Sequence, residues 1–353
     1  MFETIIKRCA LVACLFFVAG YSGRVWAQGV EQVQRVMFYN CENLFDPENN
    51  PDTQDDEFTP EGARHWTPFR QYAKMLNIGK AILAAGEGRI PSLVGLAEVE
   101  NDSVLLRLTR GTPLRKWEYA YVMTHSQDVR GINVALMYQP MDFRLLGYAS
   151  VRVPMAKGAR PTRDILHAWG RILGGDTLDV VVCHLPSRLG GAKASAQNRS
   201  AAQRTIRRLN DSLSIVRRHP HVLVMGDMND YPDTKSLCRA MRFGQNLHNL
   251  MAPLQRDLKC GKRAFGSHKY DGQWGFLDQV WINDGLLPKA VEAAEGQYAV
   301  WVDSAEVGCL PFMLTEDRTH LGHRPLRSYN GYRYEGGFSD HLPVRVDLHI
   351  RRL

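Results

Sequence analysis

Five short polar segments carry residue types suited to metal and phosphate chemistry. Asn40 opens Asn40-Cys41-Glu42-Asn43, Glu98 follows Leu93-Val94-Gly95-Leu96-Ala97, and His184 follows Val180-Val181-Val182-Cys183. Asp227 and Asn229 follow Val222-Leu223-Val224-Met225-Gly226, and Ser339-Asp340-His341 precedes a final alternating run. Carboxylates, an amide carbonyl and water suit a hard divalent cation such as Mg²⁺, or Mn²⁺ in its place. A histidine, with an ordinary pKa of about 6.5, can exchange a proton with a phosphate or hydrogen-bond to it near neutrality. Singly, each segment has a plain explanation: a turn at Asn40, a satisfied core histidine at His184, an Asx-rich turn around Asp227, a cap at Asp340. Glu98 is harder to dismiss, because a carboxylate directly after five uncharged residues is costly unless paired or metal-bound. All five together, each abutting an apolar run, point to one site.

Such a site needs strands whose ends converge. Strand-like runs occupy residues 33–39, 93–97, 132–138, 178–183, 222–225, 277–282 and 344–350. Several are continuously apolar, as expected of strands covered on both faces. Ala202, Ile206, Leu209, Leu213 and Val216 line one helix face, and a second helix is expected over 71–85. The Arg-rich stretch 199–218 reads as that first helix's solvated side rather than as a phosphate-binding strip. Helices between such strands make an α/β chain, in which ligands bind outside strand ends. The acidic segment 47–62 reads as a solvated loop, since its spacing matches no EF-hand calcium site. Residues 284–337 are weakly patterned and are expected to form long loops.

The 353 residues are 44% hydrophobic and 23% charged, which excludes disordered, collagen-like, coiled-coil and polytopic membrane classes. Lys7 and Arg8, a short apolar run and Val25-Trp26-Ala27 form a secretory signal over 1–27, with the cut after Ala27. A lipoprotein box at Cys14 fits poorly, because that residue lies inside the apolar run. No linker or repeat divides the remainder, so 28–353 is expected to be a single domain in a periplasmic or secreted, monomeric protein. The net charge of +7 is compatible with an anionic partner. Without the two signal cysteines five remain, none in a C-x-x-C pair, which argues against a zinc site; Cys260 with Cys309 is one conceivable disulfide.

Asn-Cys-Glu-Asn-Leu-Phe-Asp at 40–46, Gly-Leu-Ala-Glu-Val-Glu-Asn around Glu98, Cys-His-Leu-Pro-Ser-Arg around His184, Gly-Asp-Met-Asn-Asp at 226–230, Leu-Asp-Gln-Val-Trp around Asp278 and Ser-Asp-His-Leu-Pro-Val at 339–344 resemble the endonuclease/exonuclease/phosphatase superfamily. The resemblance implies a four-layered α/β sandwich with two packed mixed β-sheets flanked by helices. It implies that Asn40, Glu98 and Asp340 surround Mg²⁺ and that Asp227 orients the attacking water. It further implies that Asn229 steadies the phosphate, that His341 contacts it with Asp278 as its carboxylate partner, and that His184 is the second histidine of the nuclease and sphingomyelinase branches. Arg130, before the 132–138 strand, stands where members place a phosphate-binding arginine.

Asp230-Tyr231 and Phe276-Leu277-Asp278-Gln279 depart from the inositol phosphatase branch, and no clear membrane hairpin favours a sphingomyelinase. The reading is therefore a secreted, Mg²⁺-dependent phosphodiester hydrolase, a nuclease acting on nucleic acid. The rivals are a phosphomonoesterase or lipid-headgroup phosphodiesterase, and a catalytically silent binding module on the same fold. Strand alternation further suggests that Asp278 points away from an apolar face made by Leu277 and Trp281-Ile282.

Overall fold

The alternation of apolar residues along the strands decides which elements stack on which. The computed structural model describes residues 31–155, 161–188, 195–242, 247–291 and 298–353; the expected signal segment and its cut after Ala27 lie outside them. The chain forms β1 (Glu31–Leu44), β2 (Pro91–Val99), β3 (Ala120–Met123), β4 (Asn133–Tyr138), β5 (Arg144–Val151), β6 (Ile165–Arg171), β7 (Thr177–His184), β8 (His221–Asp227) and β9 (Leu247–Asn249). A hairpin β10 (His268–Tyr270) and β11 (Gln273–Gly275) leads into β12 (Asp278–Asn283), β13 (Tyr298–Val302) and β14 (Glu306–Val307). Two more hairpins, β15 (Leu314–Glu316) with β16 (His323–Pro325) and β17 (Tyr329–Asn330) with β18 (Arg333–Tyr334), precede β19 (Val344–Arg352).

Two mixed sheets result. The first has the order β13-β19-β1-β2-β4-β3, with β14 also on β19; the second has the order β5-β6-β7-β8-β12-β9. In each, one pair of strands is parallel, β1 with β2 and β7 with β8, and the remaining pairs are antiparallel. Val36 and Phe38 of β1, Leu223 and Met225 of β8, and Val280 and Ile282 of β12 meet in one buried cluster between the sheets. The opposite parity, Met37 and Tyr39 with Val94 and Leu96, packs under α1 (Pro68–Ala85) and α2 (Asp102–Gly111). Val222, Val224 and Trp281 pack under α3 (Ala196–Val216) and α4 (Lys235–Arg242), and α5 (Ala252–Lys259) sets Leu254 and Leu258 against the inter-sheet core. The four layers are thus helix, sheet, sheet, helix, and each buried aliphatic side chain contributes roughly 1.5–3 kcal/mol to holding them.

All seven expected strands are present, most of them longer at one or both ends. The helix expected over 71–85 starts at Pro68, where the Thr67 hydroxyl accepts the Arg70 N–H and proline sits at the first helical position. Six strands of the two large sheets escape the sequence reading. Among them β5 alternates between exposed and half-buried residues at a sheet edge, and β6 is buried although a histidine and a glycine interrupt its apolar run. Residues 284–337, expected as loops, include β13 on the edge of the first sheet and the two late hairpins. The 199–218 stretch is not all solvated: Arg199 is buried and pairs with Asp230 at 3.1 Å, while Val216 is 70% exposed. The acidic segment is anchored rather than free, because buried Asp55 accepts the Asn50 N–H at 3.0 Å and Phe58 packs beside Phe45 and Trp66. The five described cysteines are free, which overturns the Cys260–Cys309 pairing: Cys260 is exposed at the end of α5, whereas Cys309 packs against the core under α1. Asp278 also differs from expectation. It shares the inter-sheet face with Val280 and Ile282, while Trp281 turns to the helical layer.

One glycine fixes the spacing of the central strands of the second sheet. A methyl group on Gly226 would lie 2.2 Å from the Cys183 carbonyl oxygen, a backbone atom that cannot swing away. A methyl on Gly95 would meet the Met225 sulfur and terminal methyl at 2.9 Å, the mobile end of a flexible chain, and the Phe38 ring at 3.2 Å. Gly226→Ala is therefore expected to destabilise the fold by about 3 kcal/mol or more, and Gly95→Ala by about 1 kcal/mol. Urea unfolding midpoints check this; equal costs would contradict the packing described here.

Candidate active site

The polar residues predicted from sequence continue the same alternation that builds the core. Along β1 the inward series Val36, Phe38 ends in Asn40; along β7 Val180, Val182 ends in His184. Along β8 Leu223, Met225 ends in Asp227, and along β12 the series Ile282, Val280 ends in Asp278. Strand register sets them side by side: His184 and Asp278 are both direct partners of Asp227, and Asn40 pairs with Ala97, next to Glu98. The polar patch is thus the open end of the inter-sheet core.

Glu98 is the exception in parity. It falls on the outward series of Val94 and Leu96, but the β2–β4 register jumps between Ala97 and Val99 and Glu98 adopts φ +60°. A bulge of this kind re-aims one side chain, and here it brings Glu98 Oε1 to 3.9 Å from His184 Nε2. The other oxygen accepts the Asn43 N–H at 2.9 Å and faces Arg130 at 3.5 Å.

Asp227 is the hub. Its Oδ2 accepts the Asn40 side-chain N–H at 3.1 Å and stands 3.7 Å from His184 Nε2 and 3.8 Å from His341 Nε2. Its Oδ1 accepts the Asn229 backbone N–H at 2.9 Å. Burial, opposed by His341 but reinforced by Asp278 and Glu98, raises its carboxyl to about 7. Asp278 Oδ2 lies 2.7 Å from His341 Nδ1, and both residues are buried. Burial alone would strip the His341 proton, but Asp278, Asp340 and Asp227 outweigh it and hold the ring's pKa well above its ordinary value. His184 behaves oppositely: burial, then Arg163, Arg130 and His341, push its pKa well below the ordinary value. One site therefore holds a charged and a neutral imidazole on either side of one carboxylate.

Of the nine predicted residues, the structure links Asn40, Glu98, His184, Asp227, Asn229, Asp278, Asp340 and His341 through this network, with Arg130 at its half-exposed edge. Asn229 takes φ +49° and donates its amide to the Leu185 carbonyl at 2.8 Å, tying the ends of β7 and β8 together. Several neighbours went unpredicted. Buried Glu42 receives Lys74 at 3.3 Å and Arg327 at 3.4 Å, and Arg327 also holds Asp340 Oδ2 at 2.8 Å. Arg163 bonds the His184 and Leu185 carbonyls, and the His268 ring lies 4.5 Å from that of His341. Glu42 was visible inside the Asn40 motif, whereas Arg327 and His268 come from segments without patterning. A cavity of about 210 Å³ opens beside Glu42, Asn43 and Arg327. The donor set fits a divalent cation: the outer candidates Asn40, Glu98 and Asp340 all offer oxygen.

Asp278→Asn keeps the shape but removes the charge that holds the His341 proton. Turnover of a phosphoester is expected to fall roughly 10²–10⁴-fold. Because the raised pKa of His341 drops, its protonated form is lost earlier, and the alkaline limb of the rate profile moves to lower pH. Combined with His341→Ala, the loss should be far less than the product of the two single losses; a full product would mean that the residues act independently.

Residues 35–350 match the model of the Endonuclease/Exonuclease/phosphatase family. No curated protein matches the chain significantly in sequence. In structure it is similar to a mannosyl-6-phosphatase from Bacteroides thetaiotaomicron, with 14% identity and a TM-score of 0.54 over 89% of this chain and 99% of that one. It is also similar to TDP2 from D. rerio, solved with a single-strand DNA product, with 13% identity and a TM-score of 0.52 over 90% and 99%. A third similar structure is the human Nocturnin catalytic domain with bound sulfate, with 17% identity and a TM-score of 0.52 over 93% and 99%. These likenesses establish the fold, two mixed sheets between helical layers, and the match across 35–350 establishes the lineage: the chain belongs to the endonuclease/exonuclease/phosphatase family, whose members are hydrolases of phosphoester bonds and typically need a divalent metal.

Proposed function

We propose that the chain is an exported, Mg²⁺-dependent phosphodiesterase that cleaves nucleic acid. The observation that carries this reading is the pair of histidines in opposite states, His184 and His341, set 3.7 and 3.8 Å from Asp227 Oδ2. In-line attack on a diester needs an aimed water, neutralised equatorial charge and help for the leaving oxygen.

Asp227, with a carboxyl near 7, accepts a proton from the water and aims it, while Asn40 and the Asn229 N–H fix its two oxygens. His341, kept protonated by Asp278, donates to a phosphate oxygen as charge builds. Neutral His184 offers Nε2 toward the same space. Arg130, 40% exposed in its side chain, meets the phosphate from the rim. Mg²⁺ held by Asn40, Glu98 and Asp340 would supply Lewis-acid stabilisation of the phosphate. The signal over 1–27 sends the protein to the periplasm or beyond, and it acts there as a monomer.

A nucleic-acid zymogram is expected to show clearing that a chelator abolishes and Mg²⁺ restores. Glu98→Gln, which keeps shape and folding but removes one formal charge, should lose roughly 10²-fold or more of that activity. Clearing in excess chelator, or an unimpaired variant, would sink the metal assignment. Phosphate release from sugar phosphates without any clearing would move the protein to the monoesterase reading. N-terminal sequencing of the exported protein should begin at Gln28; a lipid-modified start at Cys14 would overturn the export route.

A further inference from the structure

Oxygen ligands alone do not account for the side of the site that faces the β10–β11 hairpin. We propose that His268, Asp340 and His341 form a second, nitrogen-rich metal position that takes a borderline ion such as Zn²⁺, and that its occupation withdraws His341 from the phosphate.

The three residues come from different places in the chain and converge. Each offers one donor atom, and the three atoms lie within 4.8 Å of one another. His268 opens β10 and makes an isolated backbone bridge to His341, which places the two rings 4.5 Å apart. His341 Nε2 stands 4.0 Å from Asp340 Oδ1. That gap is too long for a hydrogen bond. A tetrahedral ion with metal–nitrogen and metal–oxygen bonds of about 2.0–2.2 Å would hold the two atoms about 3.4 Å apart, so they close by roughly half an ångström on binding. His268 Nδ1 is buried without a hydrogen-bond partner. An orphaned polar atom in such a place costs about 1–3 kcal/mol, and a ligand would recover it.

The surrounding groups favour the same occupant. Asp278 on His341 Nδ1 is the carboxylate partner that metal-bound histidines commonly have, leaving Nε2 to face the ion once its proton is released to solvent on binding. Asp227 faces His341 Nε2 from β8 at 3.8 Å and adds negative charge. Arg327 opposes, holding the other Asp340 oxygen at 2.8 Å. Two imidazoles and a carboxylate suit Zn²⁺, Ni²⁺ or Co²⁺ far better than Mg²⁺, which demands oxygen and parts with water reluctantly. Because Asp340 belongs to both donor sets, filling this position also weakens Mg²⁺ on the other side.

Co²⁺ tests this without any catalytic assay, because it absorbs in the visible where Zn²⁺ is silent. Added to the metal-free full chain, one equivalent should give ligand-field bands that Zn²⁺ bleaches. His268→Ala, and His268→Gln as the variant that better preserves packing, should need about 10-fold more Co²⁺ or more for the same bands. In the unsubstituted chain, one equivalent of Zn²⁺ should shift the ring-nitrogen resonances of both His268 and His341. Micromolar Zn²⁺ should then inhibit hydrolysis, with the inhibited-to-uninhibited ratio in each His268 variant moved toward one. Titrations of the His268 variants that superimpose on the wild type, or ring nitrogens unmoved by Zn²⁺, would overturn the site. Those readouts stand whether or not the protein cleaves nucleic acid, so failure of one claim is distinguishable from failure of the other.

Discussion

The buried contact between His341 and Asp278, 2.7 Å long, is the constraint on which the rest of the site depends. Register makes Asp227 and Asp278 direct cross-strand neighbours on β8 and β12. Two carboxylates so placed, both buried, cannot both ionise without a compensating cation. His341 supplies that charge from the segment before β19, in the other sheet. The ion pair therefore joins the two sheets at their open end while it sets the protonation of the histidine. Removing one partner of a buried pair typically costs 3–5 kcal/mol, so here stability and chemistry are coupled. The match is incomplete, since Asp278 Oδ1 lacks a hydrogen-bond partner. Such an atom is a local cost that a purely structural core would avoid.

Four of the nine described non-glycine residues with positive φ lie at the same place. Glu42, Asn43, Glu98 and Asn229 all take left-handed conformations, with φ between 49° and 60°. These non-glycine residues sit where β1, β2 and β8 end, and each ends or deflects a strand so that a polar group turns inward. The core bears this cost: the stretches leading in, residues 36–41, 91–97 and 221–227, are buried, and their packing over-determines where the strands end. The surrounding arginines serve the same end. Arg163 pins the carbonyls at the end of β7, and Arg327 bridges Glu42 and Asp340, two carboxylates that would otherwise repel.

How legible this was in the sequence varied with the physics of each part. The central strands announced themselves because they are apolar on both faces, and the motif residues were found because each interrupts such a run at its end. The edge strand β5 was missed because half its residues are exposed; β13 was missed because it is a five-residue edge strand inside a weakly patterned stretch. The side-chain direction of Asp278 was misjudged because β12 is apolar on both faces, so alternation held no information about which face is which. Glu98 would be misplaced by parity, since only the bulge turns it inward. Arg327, Lys74 and His268 could not be found by pattern at all. Their roles exist only through contacts with residues 13 or more positions away, such as Arg327 with Asp340 and Lys74 with Glu42.

That division bears on what separates members of this fold. In this chain the strand ends bring together an amide, a glutamate, two histidines and three aspartates. Structures of the same fold include a mannosyl-6-phosphatase and a protein solved with a single-strand DNA product, so the layering does not by itself choose a substrate. What differs must come from the segments that the sheets leave unconstrained. In this chain those segments deliver Arg327 beside Asp340, His268 against His341, and Arg130 at the rim beside Glu98. Each touches a motif residue from outside the sheets, and each changes the charge or ligand character of the group it touches. The sheets fix where the motif residues meet; the connections between them set the charge and the ligand atoms that surround those residues.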